Sequence, residues 1–90
     1  ENIEPFQVYQ NFPNPWRDQT VIRFDVPRPG QVQFIVRDIS GRELMNFTEY
    51  YPQGTHQREV SNHEISSGRV LIYEMKYEDV SISKRMIKIE

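Results

Sequence analysis

The stretch Gln31-Val32-Gln33-Phe34-Ile35-Val36-Arg37-Asp38-Ile39-Ser40-Gly41-Arg42-Glu43-Leu44 leaves this chain few folds to choose from. Val32, Phe34 and Val36 occupy alternate positions, and a two-residue period puts their side chains on one face of a β-strand. Ile35 falls on the opposite face, so the strand reads as covered on both sides and central in its sheet. Asp38-Ile39-Ser40-Gly41 follows as a turn. The Asp carboxylate can fold back onto the backbone, and Gly supplies a positive φ without a Cβ clash. Arg42 opens the return strand. A hairpin of this kind cannot bury its apolar face alone, so the flanking segments must supply a second layer.

Those segments read as strands too. Phe6, Val8 and Phe12 share one phase, with Gln7, Tyr9 and Asn11 on the other, which predicts a first strand at a sheet edge. Pro13-Asn14-Pro15 ends it, because proline cannot donate to a ladder and biases the preceding residue towards extended geometry. Asn14 is thereby held in a stiff corner, and Trp16 is expected to pack over the open end of the core. Ile22, Phe24 and Val26 form the next inward set, with Arg23 and Asp25 facing water. Pro27-Arg28-Pro29-Gly30 is a turn signal.

Beyond the central hairpin, Leu44 and Phe47 are three apart, and a β-bulge near Met45–Asn46 would restore the alternation. Tyr50-Tyr51-Pro52-Gln53-Gly54 is a turn, Thr55 to Val60 a short polar strand, and Ser61 to Gly68 a loop with one helical turn around Asn62–Ile65. Between Val70 and Tyr77 two phases compete, Val70 and Ile72 against Leu71, Tyr73, Met75 and Tyr77. The larger set is read as inward, with the smaller covered by a partner or by the rest of the fold. Asp79 makes a tight turn into a last strand, in which Ile87 and Ile89 are expected inside and Lys84, Arg85 and Lys88 on the solvent side or edge. Charged edges of this sort resist sheet-to-sheet pairing. About seven short antiparallel strands spaced 8–12 residues apart signal an all-β, Greek-key β-sandwich. Alanine is absent and leucine occurs twice, which agrees with a chain poor in helix.

Ninety residues suit one domain spanning 1–90. Such a domain buries roughly 60–65% of its unfolded surface, enough for a modest core and too little for a deep catalytic cleft. A net charge of −2 gives no sign of a nucleic-acid or anionic-membrane partner. Without cysteine there is neither disulfide nor thiolate chemistry. No apolar run approaches the roughly 18 residues of a membrane span. The chain starts at Glu1, which suggests a piece of something longer.

Titratable groups do not assemble into a reactive set. His56 and His63 sit on a polar strand and in a loop, and read as solvated surface histidines rather than zinc ligands. No serine lies in a Gly-x-Ser-x-Gly context. Glu43, Glu49, Glu59, Glu74 and Glu78 are spread over different strands, whereas a glycosidase needs two carboxyls facing one cleft. There is no glycine loop to cradle phosphate. The expectation is therefore a non-enzyme without cofactor or metal. Tyr9, Trp16, Tyr50, Tyr51 and Tyr73 could stack on sugars, but core and rim packing is the ordinary use of such residues. Asn46-Phe47-Thr48 matches a glycosylation acceptor, a pattern short enough to arise by chance.

Several motifs, in order, resemble a known family: the C-terminal sorting domains of proteins exported by the type IX secretion system of the Bacteroidetes. Gln10-Asn11-Phe12-Pro13-Asn14-Pro15-Trp16 is similar to its opening Asn-Tyr/Phe-Pro-Asn-Pro-Phe signature. Thr20-Val21-Ile22-Arg23-Phe24-Asp25-Val26-Pro27 resembles its Thr-x-Ile-x-Phe-x-Leu-Pro strand. Phe34 through Arg42 resembles a hydrophobic strand followed by Asp-x-x-Gly-Arg, carrying Asp38, Gly41 and Arg42. Gly54-Thr55-His56 resembles Gly-x-His, Gly68 stands where a Gly-x-Tyr strand begins, with Val70 in place of the tyrosine, and Lys84-Arg85-Met86-Ile87-Lys88 resembles the closing basic-hydrophobic tail.

The resemblance implies an Ig-like sandwich that serves as an address at the end of a larger exported protein. It implies a fused N-terminal cargo, passage through the periplasm, recognition by the outer-membrane translocon, and a secreted or cell-surface destination. Removal by a sortase-like peptidase and attachment to surface lipopolysaccharide belong to the same implication; nucleic-acid binding and membrane insertion do not. On this reading the translocon recognises the final hairpin, Val70–Glu90, through Gly68, Lys84, Arg85 and Lys88. Pro13, Asn14, Pro15, Asp38, Gly41, Arg42 and Gly54 are assigned to structure. The rival readings are an Ig-like structural spacer and a carbohydrate-binding module of a secreted enzyme.

Overall fold

A computed structural model describes residues 5–65 and 69–89. It contains seven strands: β1 (Gln7–Val8), β2 (Gln19–Val26), β3 (Gly30–Asp38), β4 (Glu43–Tyr51), β5 (Gly54–Ser61), β6 (Val70–Tyr77) and β7 (Val80–Ile87). They form a three-stranded sheet, β1-β2-β5, and a four-stranded sheet, β4-β3-β6-β7. Every strand pair is antiparallel. Consecutive strands β2 and β3 lie in different sheets, and each pairs with a later strand, β2 with β5 and β3 with β6. That interlocking is the Greek-key arrangement of an Ig-like sandwich.

The alternations dictate what meets between the sheets. Ile22, Phe24 and Val26 of β2 face Val32, Phe34 and Val36 of β3 and Leu71, Tyr73, Met75 and Tyr77 of β6, all buried. Each large apolar side chain removed from water contributes roughly 1.5–3 kcal/mol. Trp16 and Ile65 are also fully buried within this cluster. Ile65 arrives there through one helical turn, in which the Ser61 carbonyl accepts from the amides of Glu64 and Ile65 at 3.0 and 3.1 Å.

Strand β3 is central, between β4 and β6. Ile35 is only 2% exposed, yet no second layer covers its face. Its register partners are Asn46 and Glu74, and a chain of polar side chains closes over it. Gln33 donates to Asn46 at 2.9 Å, Asn46 donates to Glu43 at 3.0 Å, and Arg37 binds Glu74 at 2.8 Å and Glu43 at 3.7 Å. Ser81 completes the chain with a hydrogen bond to Glu74.

At the Asp38 turn, the carboxylate accepts from the Ser40 and Arg42 amides at 2.9 and 3.1 Å, and Gly41 takes φ 93°. The bulge lies slightly earlier than the alternation suggests. Val36 pairs with Met45 and Arg37 with Glu43, so Leu44 is the extra residue, and Leu44 and Met45 both pack on the core.

Two other expectations are overturned. Phe12, expected inward with Phe6 and Val8, is 80% exposed, while Asn11 is buried. β1 ends at Val8, and the phase slips before Phe12 pairs with Val21, because Asn11 finds hydrogen bonds inside. In the last strand, Ile87 is 41% exposed and Lys88 only 4%. The inward set is the one shared by Ile82, Lys84, Met86 and Lys88. Met86, fully buried opposite Leu71, fixes that phase.

Tyr73 couples the core to the chain before β2. Its buried hydroxyl accepts from the Asn11 amide at 2.9 Å and donates to the Tyr9 carbonyl at 2.8 Å. Burial pushes its pKa up to about 12. Tyr73→Phe should therefore lower the unfolding free energy by about 1–3 kcal/mol, the cost of stranding two backbone groups. Urea denaturation would show this as a lower midpoint at unchanged slope.

Candidate recognition surface

The final strand, β7, is built into the fold along both edges. On its inner edge it pairs with β6, and the Lys88 amide donates to the Arg69 carbonyl at 2.7 Å. On its outer edge lies the Gln10–Trp16 segment. Gln10 Nε2 donates to the Arg85 carbonyl at 2.7 Å, and Asn14 Oδ1 accepts from the Ile87 amide at 2.9 Å. The Trp16 amide donates to the Ile87 carbonyl at 2.9 Å, and the Ile89 amide donates to the Trp16 carbonyl at 2.7 Å. This segment clasps residues 85–89 and closes that part of a sheet edge.

The clasp holds its own shape through Asn11. Its side-chain amide donates to the Pro13 carbonyl at 3.1 Å and to Thr20 Oγ1 at 3.0 Å, and Thr20 donates to the same Pro13 carbonyl at 2.8 Å. Both proline bonds, Phe12-Pro13 and Asn14-Pro15, are cis. Trp16 lies inside, with the Lys88 ammonium 5.6 Å from its ring centroid, near enough for a cation–π attraction. Within the Asn11–Trp16 motif, Asn11, Asn14 and Trp16 have structural duties, while Phe12 is left in solvent.

The expected contact residues therefore separate. Arg85 is exposed on the outer face of the four-stranded sheet. Lys84 is half-buried on the inner face opposite Tyr73, and Lys88 is buried against Trp16. Lys88 is thus not on the solvent side. Counting Ile82 and Met86 together, rather than Ile87 and Ile89, would have given the correct phase from sequence. Gly68 lies outside the described residues. Gly54, at φ 131°, starts β5.

His56 departs from a solvated surface histidine. It is half-buried, with its ring 5.7 Å from Phe24 and 5.1 Å from Tyr51, and its Nε2 lies 2.7 Å from the Pro52 carbonyl. Beside it Arg58 spans the open seam of the sandwich. The guanidinium lies 4.7 Å from the Phe47 ring centroid and 2.9 Å from Glu64. His63 is exposed, and among the described residues no group of three or more His, Asp or Glu could hold a metal ion. The candidate sugar-stacking aromatics scatter likewise. Trp16 and Tyr73 are in the core, Tyr51 is edge-on to Phe24, Tyr9 lies under Arg23, and Tyr50 is exposed.

Among the described residues, the polar side chains that make hydrogen bonds mostly serve the turns, the clasp and the polar chain over Ile35. The secretion system C-terminal sorting domain family matches residues 10–89. The chain belongs to this family of type IX secretion sorting domains, and its role is that of a C-terminal sorting signal for export. No curated protein matches the chain.

Two outcomes follow from the electrostatics and the clasp. Tyr9 holds Asp25, Ser40 holds Asp38, Arg58 holds Glu64, and Arg37 holds Glu74 below their ordinary carboxyl values. The unfolded chain then takes up protons first as pH falls, so the stabilisation is full above the ordinary values of 3.8 for Asp and 4.5 for Glu and is lost below them. Melting temperature should stay level from about pH 7 to about pH 5 and fall by about pH 3. Separately, Asn14→Ala should cost about 1 kcal/mol and speed exchange of the Ile87 amide about fivefold, read by hydrogen-exchange NMR.

Proposed function

We propose that this sandwich acts after folding in the periplasm, where the outer-membrane type IX translocon recognises it as a folded body and carries an N-terminally fused cargo outward. The family match across residues 10–89 carries this reading, because it embraces the clasp and strands β2 to β7 together. A sortase-like peptidase then removes the domain, and the cargo is released or anchored at the surface. The domain itself catalyses nothing in this scheme; its work is to be bound.

The placement of the final strand supports recognition of a shape rather than of a loose basic tail. Lys88 is buried, and residues 85–89 are fixed by hydrogen bonds on both edges. Of the tail's cations, Arg85 is the one exposed to an approaching partner. A carbohydrate-binding role is disfavoured by the burial of Trp16 and Tyr73.

The test is a fusion of residues 1–90 behind a signal peptide and a fluorescent cargo in a type IX-competent bacterium. Fluorescence should reach the surface or medium, and should be confined to the periplasm in a translocon-deficient strain. Deleting residues 83–90 should also confine it, since Met86 and the clasped edge go with them. Periplasmic retention of the intact fusion would sink the sorting reading.

A further inference from the structure

The outer face of the four-stranded sheet has two unlike halves. Between the β6–β7 turn and the level of Ile72 its polar groups answer one another, in the chain from Gln33 through Asn46, Glu43, Arg37 and Glu74 to Ser81. At the opposite end the row is aliphatic. Val70 and Ile87 are register partners on this face, because Leu71 and Met86 beside them point into the core. Ile39 continues the row beyond β3, and it lines with Asp38, Ser40, Arg69 and Val70 a largely apolar depression of about 460 Å³. Ile39 is 75% exposed and Ile87 41%.

Arginines border this row. Ile72, the next residue on the face, pairs with Arg37 on one side and Arg85 on the other, and Arg69 precedes Val70. Arg37 is neutralised by Glu74 and Glu43, and Arg42 by Asp38. Arg69 and Arg85 are exposed, and among the described residues neither makes an ion pair. A chain of net charge −2 therefore carries, beside this aliphatic row, two exposed cations that pair with no carboxylate among the described residues.

We propose that the Ile39–Val70–Ile87 row, flanked by Arg69 and Arg85, is the docking surface for an export-machinery protein that presents an apolar centre flanked by carboxylates. This rests on the sorting reading and deepens it by naming the surface and the chemistry of its partner. Desolvated aliphatic groups bordered by arginine are the makings of an interface core and rim. Charge complementarity selects an acidic partner and steers its approach. A second copy is a poor occupant, since the same unpaired cations would meet one another. An anionic membrane is a poorer one, because two cations beside a short aliphatic row attract a bilayer only weakly.

The experiment uses the intact 1–90 fusion with fluorescent cargo in the type IX-competent host. Arg69→Glu with Arg85→Glu should lower the exported fraction about tenfold, the effect of losing one well-placed interfacial contact. The cargo should then accumulate full-length in the periplasm, and the purified chain should keep its melting temperature. Ile39→Asp, at a side chain that supports no core packing, should act likewise. Gln57→Lys with Glu59→Lys, on the other sheet's outer face, should export as the parent does. Parental export of both the arginine and the Ile39 variants would overturn the docking surface while leaving the sorting reading intact; retention of the parent fusion itself would overturn that reading underneath. Flotation of the purified chain with vesicles of about one-third anionic phospholipid, abolished by the arginine reversals, would reassign the row to a lipid surface and overturn the protein partner.

Discussion

Residues 10–16 clasp the end of the last strand, and that contact ties the two ends of the sandwich's chain together. A small two-sheet body has four strand edges and a thin core, and its ends are where water enters. Here the chain entering β2 lies along the outer edge of β7, hydrogen-bonds Arg85, Ile87 and Ile89, and drops Trp16 into the core behind them. Tyr73 holds the same segment from within through the Tyr9 carbonyl and the Asn11 amide. Residues some seventy positions apart thus stabilise one another.

How far a sequence discloses such a body depends on the range of the forces involved. Strand alternation is local, and it gives β2, β3 and β6 their observed faces; in β6, where two phases compete, the larger set Leu71, Tyr73, Met75 and Tyr77 is the buried one. Turn chemistry is local too, and Asp38, Gly41 and the Ser61–Ile65 turn lie where it puts them. The misplacements of Phe12, Ile87 and Lys88 share a different cause. At each, side-chain direction is set by a partner distant in sequence: Thr20 and Tyr73 for the Asn11–Phe12 step, and Trp16 and Arg69 for Lys88. Hydrophobicity alone prefers Phe12 and Ile87 inside. Asn11 wins its place because a buried amide with satisfied hydrogen bonds carries little penalty. Lys88 keeps its place because the phase belongs to Met86, and its ammonium can sit by an indole face.

The candidate surface was legible in a weaker sense. The basic tail is visible in the sequence as charge, yet its charges divide among three environments once folded, and only Arg85 of the three faces out. Ile39 lay inside a turn motif, where an exposed isoleucine carries no sequence signal. Its significance comes from register, since Val70 and Ile87 are brought alongside it only when β3, β6 and β7 pair.

This arrangement also separates two kinds of requirement that deletion experiments merge. Removing the final residues takes away Met86 from the core, the Trp16 backbone partners and the exposed Arg85 together, so lost export after truncation reports folding and recognition at once. The outer face permits a cleaner division. Ile39, Arg69 and Arg85 make no core contact, while Asn11, Trp16, Tyr73 and Met86 make little else. A translocon that reads a folded sandwich needs the second group only because the second group holds the first in register. The proline corner, the Asp38 turn and the tyrosine hydroxyl each hold hydrogen bonds within the fold, so their loss is read first as lost stability.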